Sequence, residues 1–447
     1  MPDVPESVLY IIEKLNKANF QAFAVGGCIR DRMLGIDPKD WDVCSSATPE
    51  EALRVFADDR IIPTGIKHGT VTVIARGEPI EVTTFRTDGE YSDSRHPDKV
   101  SFIGDLISDL KRRDFTINAM AWSPESGIID PFGGKEDLSE RCIRCVGDPE
   151  IRFREDVLRV IRGLRFSSSL GFSIEENTAQ ALRNAAERLS LLPGERIFPE
   201  LLGLLSGAGV KRTLLDFPEV IAAIIPELRP AFGFRQNAAT HIWDVWRHTV
   251  ESVAAVPPDP LLRLTMLLHD VAKPETCSAD QAGTPHFYGH QQAGAQIAAA
   301  ILERLRTPGV YRDTVPRLIA MHNKLLPDDQ KGMRRLLADI GPGLTWQLIA
   351  VKRADAQAHA PKARDDRIEL IERAQAVLKA LLEEGSCFSV KDLKLGGEEI
   401  ASLGVPKGPR IGRVLKLLLD AVIDEQIEND RDKLVKYAQE LINTDQL

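Results

Sequence analysis

Hydrophobic positions change their period several times along the chain, and each change predicts an element. Over residues 1–20, Val8, Ile11, Ile12 and Leu15 recur at helical spacing with charge on the other side, which predicts an amphipathic helix backing a sheet. Phe23-Ala24-Val25 predicts a buried strand, Gly26-Gly27 a turn without side chains, and 28–34 the start of a helix. Ser46-Ala47-Thr48-Pro49-Glu50-Glu51 opens another helix, with Thr48 as N-cap and Pro49 in its first turn. Residues 60–64, 69–75 and 79–86 are β-rich runs. Residues 86–111 lose periodicity and predict a mobile, turn-rich loop. Beyond it, 111–120 predicts a helical apolar run led by polar residues, and Val157, Leu158, Ile161 and Leu164 place 153–166 on one helix. From 141 to about 230 Leu, Ala, Arg and Glu dominate and the pattern is helical. The fold class is therefore α+β, a small head with a mixed, largely antiparallel sheet followed by a mostly α-helical remainder.

A chain of 447 residues exceeds one ordinary core, so several domains are expected. With 43% hydrophobic and 28% charged residues the composition is that of a globular protein. A net charge of -9 carries no basic footprint, so any nucleic-acid contact has to be local. The first residues lack the basic-then-apolar pattern of a signal peptide, and no apolar run approaches a membrane span. Six cysteines form no evident disulfide framework, and a cytoplasmic protein is the expectation. Cys142 and Cys145 make a single Cys-x-x-Cys without a second ligand pair, read as incidental.

Chemistry concentrates first at Asp40-Trp41-Asp42. With Trp41 in a strand, the two carboxylates leave the same face, and two carboxylates aimed together call for a cation between them. A pair of magnesium ions is the usual answer, although an isolated Asp-x-Asp is also common in solvated loops. Gly26-Gly27 ahead of a helix lets backbone amides approach a phosphate, and Arg30 adds a guanidinium. Glu81, on a following strand, is a candidate third acid. In 111–120, Arg113 suits phosphate, while Asp114 and Asn118 suit sugar hydroxyls.

These motifs resemble a known family. Gly26-Gly27-x-x-Arg30-Asp31 followed by Asp40-Trp41-Asp42, then Arg112-Arg113-Asp114-Phe115-Thr116-x-Asn118-Ala119 and Asp130-x-x-Gly133-Gly134-x-x-Asp137-Leu138, is similar to the nucleotidyltransferase head of bacterial CCA-adding enzymes and poly(A) polymerases. Residues 63–73 resemble the CCA-adding version, since the arginine-rich Gly-Arg-Arg-Phe of the polymerases is absent. The resemblance implies that the loop near 88–98 serves addition of the final A. It also makes Glu155-Asp156-x-x-Arg159 the motif that reads the nucleobase, with Arg162 and Arg165 holding the triphosphate or orienting the pair. Cytosine and adenine each present an amino donor beside a ring-nitrogen acceptor, which a carboxylate and a guanidinium complement; uracil and guanine present the opposite polarity.

Seven of the nine histidines fall between residues 241 and 359, an enrichment that points to a metal site. His248, His269-Asp270 and Asp355 resemble the ligands of an HD-family phosphohydrolase domain, and His290 and His322 resemble the added histidines of its two-metal versions. Mixed imidazole and carboxylate donors suit Mn2+, Ni2+, Fe2+ or another divalent transition metal, or Mg2+. Near the end, Lys407, Arg410, Arg413 and Lys416 surround a glycine-rich turn entering a helix, a local cationic strip suited to an RNA backbone. The resemblance implies a head at 1–140, a helical neck and body at 141–230, an HD domain at 231–375 and a tRNA-binding tail at 376–447. The expected activity is template-independent addition of C, C and A from CTP and ATP to the 3′ end of tRNA. The HD domain would be a metal-dependent phosphohydrolase acting on tRNA ends. The alternatives are an A-only enzyme, a poly(A) polymerase, or an HD phosphohydrolase with an RNA-binding head.

Overall fold

The computed structural model describes residues 4–63, 65–66, 69–88, 100–102, 104–236, 240–281 and 284–444, and the segment 89–98 expected to act in A addition lies outside them. The chain divides into two compact units, Met1–Arg229 and Pro230–Leu447. No helix among the described residues is long and apolar enough to cross a membrane.

The first unit carries a seven-stranded mixed sheet. Across it run Arg60–Ile62, Thr70–Ala75, Glu78–Thr84, Asp42–Ser45, Ala22–Val25, Ala121–Ser123 and Gly127–Ile129. All neighbours are antiparallel except Asp42–Ser45 with Glu78–Thr84, whose parallel register sets Asp42 opposite Glu81. The helix Glu6–Lys17 covers one face with Val8, Ile11, Ile12 and Leu15 buried, the stripe its sequence spacing predicts. The predicted helix after Ser46 runs Pro49–Val55 under a full capping box. Thr48 Oγ1 accepts from the Glu51 amide, and Glu51 accepts from the Thr48 amide. On the other side Val25, Cys44, Phe85, Leu106, Leu110, Ala119 and Ala121 form a common core.

Two helical expectations are corrected. Residues 111–120 do not begin a helix: Leu106–Lys111 ends there, Thr116–Asn118 is a single 3-10 turn, and the chain then enters the strand Ala121–Ser123. The apolar run Ile117, Ala119, Met120 and Ala121 is wholly buried, and a short run buried on all sides loses the periodicity that separates helix from strand. Likewise 153–166 is two helices, Pro149–Glu155 and Leu158–Leu170. Asp156 between them is extended (φ −137°, ψ 106°), and its carboxylate accepts from the Leu158 amide at 3.1 Å. A short acidic side chain that caps the next helix in this way competes with continuing the first. The free Cys142 and Cys145 are both buried, and burial pushes the Cys145 thiol up to about 12.

The second unit is almost entirely helical among its described residues. Val245–Ala255, Pro260–Leu268, His290–Arg304, Gly309–Met321, Gln330–Gln357 and Pro361–Glu383 surround the histidines; Gln330–Gln357 is broken at Gly341, whose φ is 76°. Pro409–Ile423 and Arg431–Asn443 close a smaller core around Ile400, Val414, Leu418, Leu434 and Leu441. Arg335 to Asp424 and Arg334 to Glu425 tie that part to Gln330–Gln357.

Candidate functional site

The sheet register brings the head's acids together. Asp42 opens its strand beside Glu81, with the exposed Asp40 two residues earlier on irregular backbone rather than in a strand. Burial, Glu81 and Asp40 all push the Asp42 carboxyl above its ordinary range, and Arg113 opposes them. Crowded carboxylates of this kind suit a divalent cation, whose charge removes the repulsion. Among the described residues the groups of three ligand atoms within 4.8 Å of one another all lie in the second unit, so the head's acids do not form a closed ligand cage by themselves.

Behind these acids runs a charged network that joins most of the predicted nucleotide-binding residues. Gly26 sits at φ 83°, a left-handed conformation that favours glycine, and a Cβ there would meet Arg113 Nη1 at 2.9 Å and push the tip of the arginine aside. Arg113 and Arg112 both reach the fully buried Asp109. Arg30, on the helix Gly27–Met33, donates to Asp31 at 2.8 Å and to Asn118 Oδ1 at 2.7 Å. Asn118 in turn donates to Asp114, whose other oxygen takes two bonds from Arg162 at 2.9 and 2.7 Å. Burial would raise the Asp114 pKa, but Arg162 and Asn118 outweigh it and hold the group at about 2. Asp114 and Asn118 are thus occupied inside the protein rather than presented as free partners for a sugar. Phe166 lies at the centre, with the guanidinium carbons of Arg30, Arg162 and Arg165 at 5.1, 5.4 and 4.4 Å from its ring centroid.

Asp156 and Arg159 do not form the adjacent pair that a continuous helix would give. Arg159 is buried and donates to Glu155 at 2.8 Å and to the carbonyls of Arg152 and Arg112, while Asp156 lies 3.5 Å from Arg196. The helix Gly194–Ser206 falls in the stretch expected to be helical, but its Arg196 and Glu200 were not singled out in the sequence. Glu200 pairs with Arg165 at 2.7 Å and Arg162 at 3.6 Å, and its ordinary helical setting gave no signal of this.

In the second unit the predicted ligands do converge. His248 and Asp355 come from helix interiors, His269-Asp270 and His322 from helix ends, and His290 from a helix start. Asp270 bridges two groups: His248 and His269 face Oδ2 at 3.4 and 3.1 Å, and His290 and His322 face Oδ1 at 3.6 and 3.8 Å. Asp355 Oδ1 lies 3.0 Å from His248 Nε2. His248, His269, His290 and His322 each turn Nδ1 to a backbone carbonyl, leaving Nε2 directed inward, the arrangement that orients imidazoles for a metal. Asp270 Oδ2 is paired with Lys273 at 2.7 Å, whereas its buried Oδ1 accepts no hydrogen bond and has only the imidazoles of His290 and His322 around it, a position that a cation would satisfy. Asp270 and Asp355 are held well below the carboxylate range despite burial, by His269 and His248 first among their partners. The residues therefore fit a two-metal centre. Lys273, 2.7 Å from Asp270, and Arg367, 3.3 Å from Asp355, add cations the sequence did not single out, while His359, packed beside His248, has its pKa lowered by burial to about 4.

Lys407, Arg410, Arg413 and Lys416 are all exposed, three residues apart, along and just before Pro409–Ile423.

Residues 22–144 match the family described as the Poly A polymerase head domain, 171–231 the probable RNA and SrmB-binding site of polymerase A, and 238–360 the HD domain. Fold and sites thus define a nucleotidyltransferase of the poly(A) polymerase type joined to an HD domain. The chain is 33% identical over 436 residues to the CCA-adding enzyme of Leuconostoc citreum, covering 97% of this chain and 96% of that one. It is 32% identical over 448 residues to the CCA-adding enzyme of Geobacillus thermodenitrificans, covering 98% of each. The Bacillus stearothermophilus CCA-adding enzyme in complex with CTP superposes with a TM-score of 0.72 at 28% identity, over 99% of this chain and 98% of that one. The chain belongs to the CCA-adding enzyme family and is a tRNA nucleotidyltransferase.

Proposed function

We propose that the protein adds C, C and A in turn to the 3′ end of tRNA, taking CTP and ATP as substrates in the cytoplasm. The observation that carries this reading is Asp42 beside Glu81 in the parallel register, facing Arg113 and the network that runs from Arg30 to Arg162. Asp40 and Asp42 hold Mg2+, with Glu81 as the adjoining acid. Bound there, magnesium lowers the pKa of the attacking hydroxyl and offsets charge on the leaving phosphate. The turn at Gly26 and Gly27, with Arg30 and Arg113, receives the triphosphate. Asp114 and Asn118 position Arg162 and Arg30 instead of contacting sugar directly.

Base choice belongs to Asp156 and Arg159, supported by Arg162 and Arg165. Arg159 gives three of its five N–H donors to Glu155 and to the carbonyls of Arg152 and Arg112, which fixes the orientation of its guanidinium. Lys407, Arg410, Arg413 and Lys416 hold the tRNA backbone. The domains follow as head 1–140, neck and body 141–230, HD domain 231–375 and tail 376–447. The test is a tRNA transcript lacking CCA, offered CTP, ATP, GTP and UTP singly and in pairs. Two C additions followed by one A support the proposal; A on a transcript already ending in CC, without any C addition, identifies an A-only enzyme. Deleting 88–98 is expected to spare both C additions and stop the A; equal loss of the two would limit that segment to supporting the head.

A second activity is favoured by the buried Oδ1 of Asp270, which accepts no hydrogen bond, and by the inward-facing imidazoles. The HD centre hydrolyses phosphate esters at tRNA ends, with a transition metal such as Mn2+, Ni2+ or Fe2+, or with Mg2+. Release of phosphate by metal-loaded protein, absent in His269→Ala, tests it.

A further inference from the structure

Two cavities adjoin the second-unit centre and share Asn323, Asp355 and Arg367 in their walls. One, of about 300 Å³, contains Asp270, His290, His322 and Lys273 and extends to His286 and Tyr288. Those two rings stack at 5.3 Å and 14°, and Tyr288 is 76% exposed, so a flat aromatic surface stands uncovered at the rim. The other, of about 340 Å³, continues from the shared wall to Leu325, Leu326, Leu370 and Ile371, with Lys352 and Asp328 also lining it; Leu325 is 84% exposed. A site for a terminal phosphate needs one arm, because a monoester carries one organic group. Here Asn323, Asp355 and Arg367 form the shared wall of two cavities, one with an aromatic rim and one largely apolar, each large enough for a nucleoside portion.

We infer that this centre accepts a linear phosphodiester joining two nucleosides, with one base stacked on Tyr288 and the other nucleoside against Leu325 and Leu370. The inference rests on the phosphohydrolase reading above. Arg367 and Lys273 face the non-bridging oxygens. In the reaction a water oxygen forms a new bond to phosphorus, one P–O ester bond breaks, and the departing nucleoside oxygen takes up a proton. The products are a nucleoside monophosphate end and a nucleoside hydroxyl, with no redox partner.

The test uses the full-length protein in two arms. In the first, metal-stripped protein is titrated with a dinucleoside monophosphate containing 2-aminopurine, whose fluorescence falls when its base stacks on an aromatic ring. Tyr288→Ala and Leu325→Ser are each expected to weaken the quenched complex about tenfold, whereas Tyr288→Phe retains it. In the second, protein reloaded with Mn2+ is given the dinucleotide or the matching 3′-mononucleotide, and the diester is expected to be cleaved at least about tenfold faster. Quenching unaffected by both substitutions, or a monoester hydrolysed as well as the diester, overturns the inference and leaves the phosphohydrolase reading intact. Hydrolysis of neither compound by a protein that holds its metal overturns that reading itself, and the diester step with it.

Discussion

The two candidate metal sites solve the same problem, holding cations near phosphate, in opposite ways. In the head, Asp40 and Asp42 are carboxylates at the mouth of a sheet, Asp40 exposed, and burial with the neighbouring Glu81 and Asp40 raises the Asp42 carboxyl further than Arg113 lowers it. In the second unit the ligands are buried, their imidazoles locked by backbone carbonyls, and one aspartate is shared between two groups. The difference teaches what completes each site. Oxygen-only donors on an open edge suit Mg2+ that arrives with a triphosphate and retains its waters, whereas a buried nitrogen-oxygen cage suits a resident transition metal.

Breaking either site should leave the other working. Asp42→Ala is expected to lower both C and A incorporation by about 10³-fold or more, since a metal-stabilised transition state loses several kcal/mol. tRNA binding, read by filter retention, should stay nearly unchanged; loss of only one nucleotide's incorporation would refute a shared metal site. His269→Ala or Asp270→Ala should abolish metal retention and hydrolysis in the second unit while C and A addition stays within about twofold, as expected of sites with no common partners.

A smaller effect tests how the head reads bases. Asp156→Ala removes the acceptor for an amino group and the partner of Arg196, so misincorporation of U or G relative to C and A should rise about tenfold. An unchanged preference would return Asp156 to its role as a helix cap. A last effect concerns stability rather than rate. Asp114 has a folded pKa near 2 against an ordinary 3.8, so its contribution is present above pH 4 and is lost as pH falls towards 2. It amounts to about 2 kcal/mol, and acid denaturation of Asp114→Asn should lack that share of the pH dependence.

Much of this was legible in the sequence because motifs record chemistry directly. That His248, His269, Asp270, His290, His322 and Asp355 come together was expected from their resemblance to an HD domain, and the helix before His269 from its apolar run, although the other helices that carry them were not. The head's strand-turn-helix corner and the cap at Thr48 followed from local rules. What failed was helical phase. Asp156 interrupts a stripe that looks continuous, and the fully buried 117–121 carries no period by which to tell a strand from a helix. Partners distant in the chain were also hidden: Glu200 under Arg165, Arg162 on Asp114, and Lys273 and Arg367 beside the second centre. Their residue types are common at helix surfaces, and only the tertiary fold turns them inward.

The contrast between a site completed by its substrate and a preassembled cage is tested most directly by metal content at equilibrium. Chelator-stripped protein would be dialysed against Mn2+ or Mg2+, with and without CTP, and the bound metal counted for wild type, Asp42→Ala and His269→Ala. The account predicts Mn2+ retained without nucleotide, lost in His269→Ala and unaffected in Asp42→Ala, with additional Mg2+ bound only when CTP is present and Asp42 is intact. Mn2+ retention that survives His269→Ala, or nucleotide-independent Mg2+ binding at the head, would contradict it.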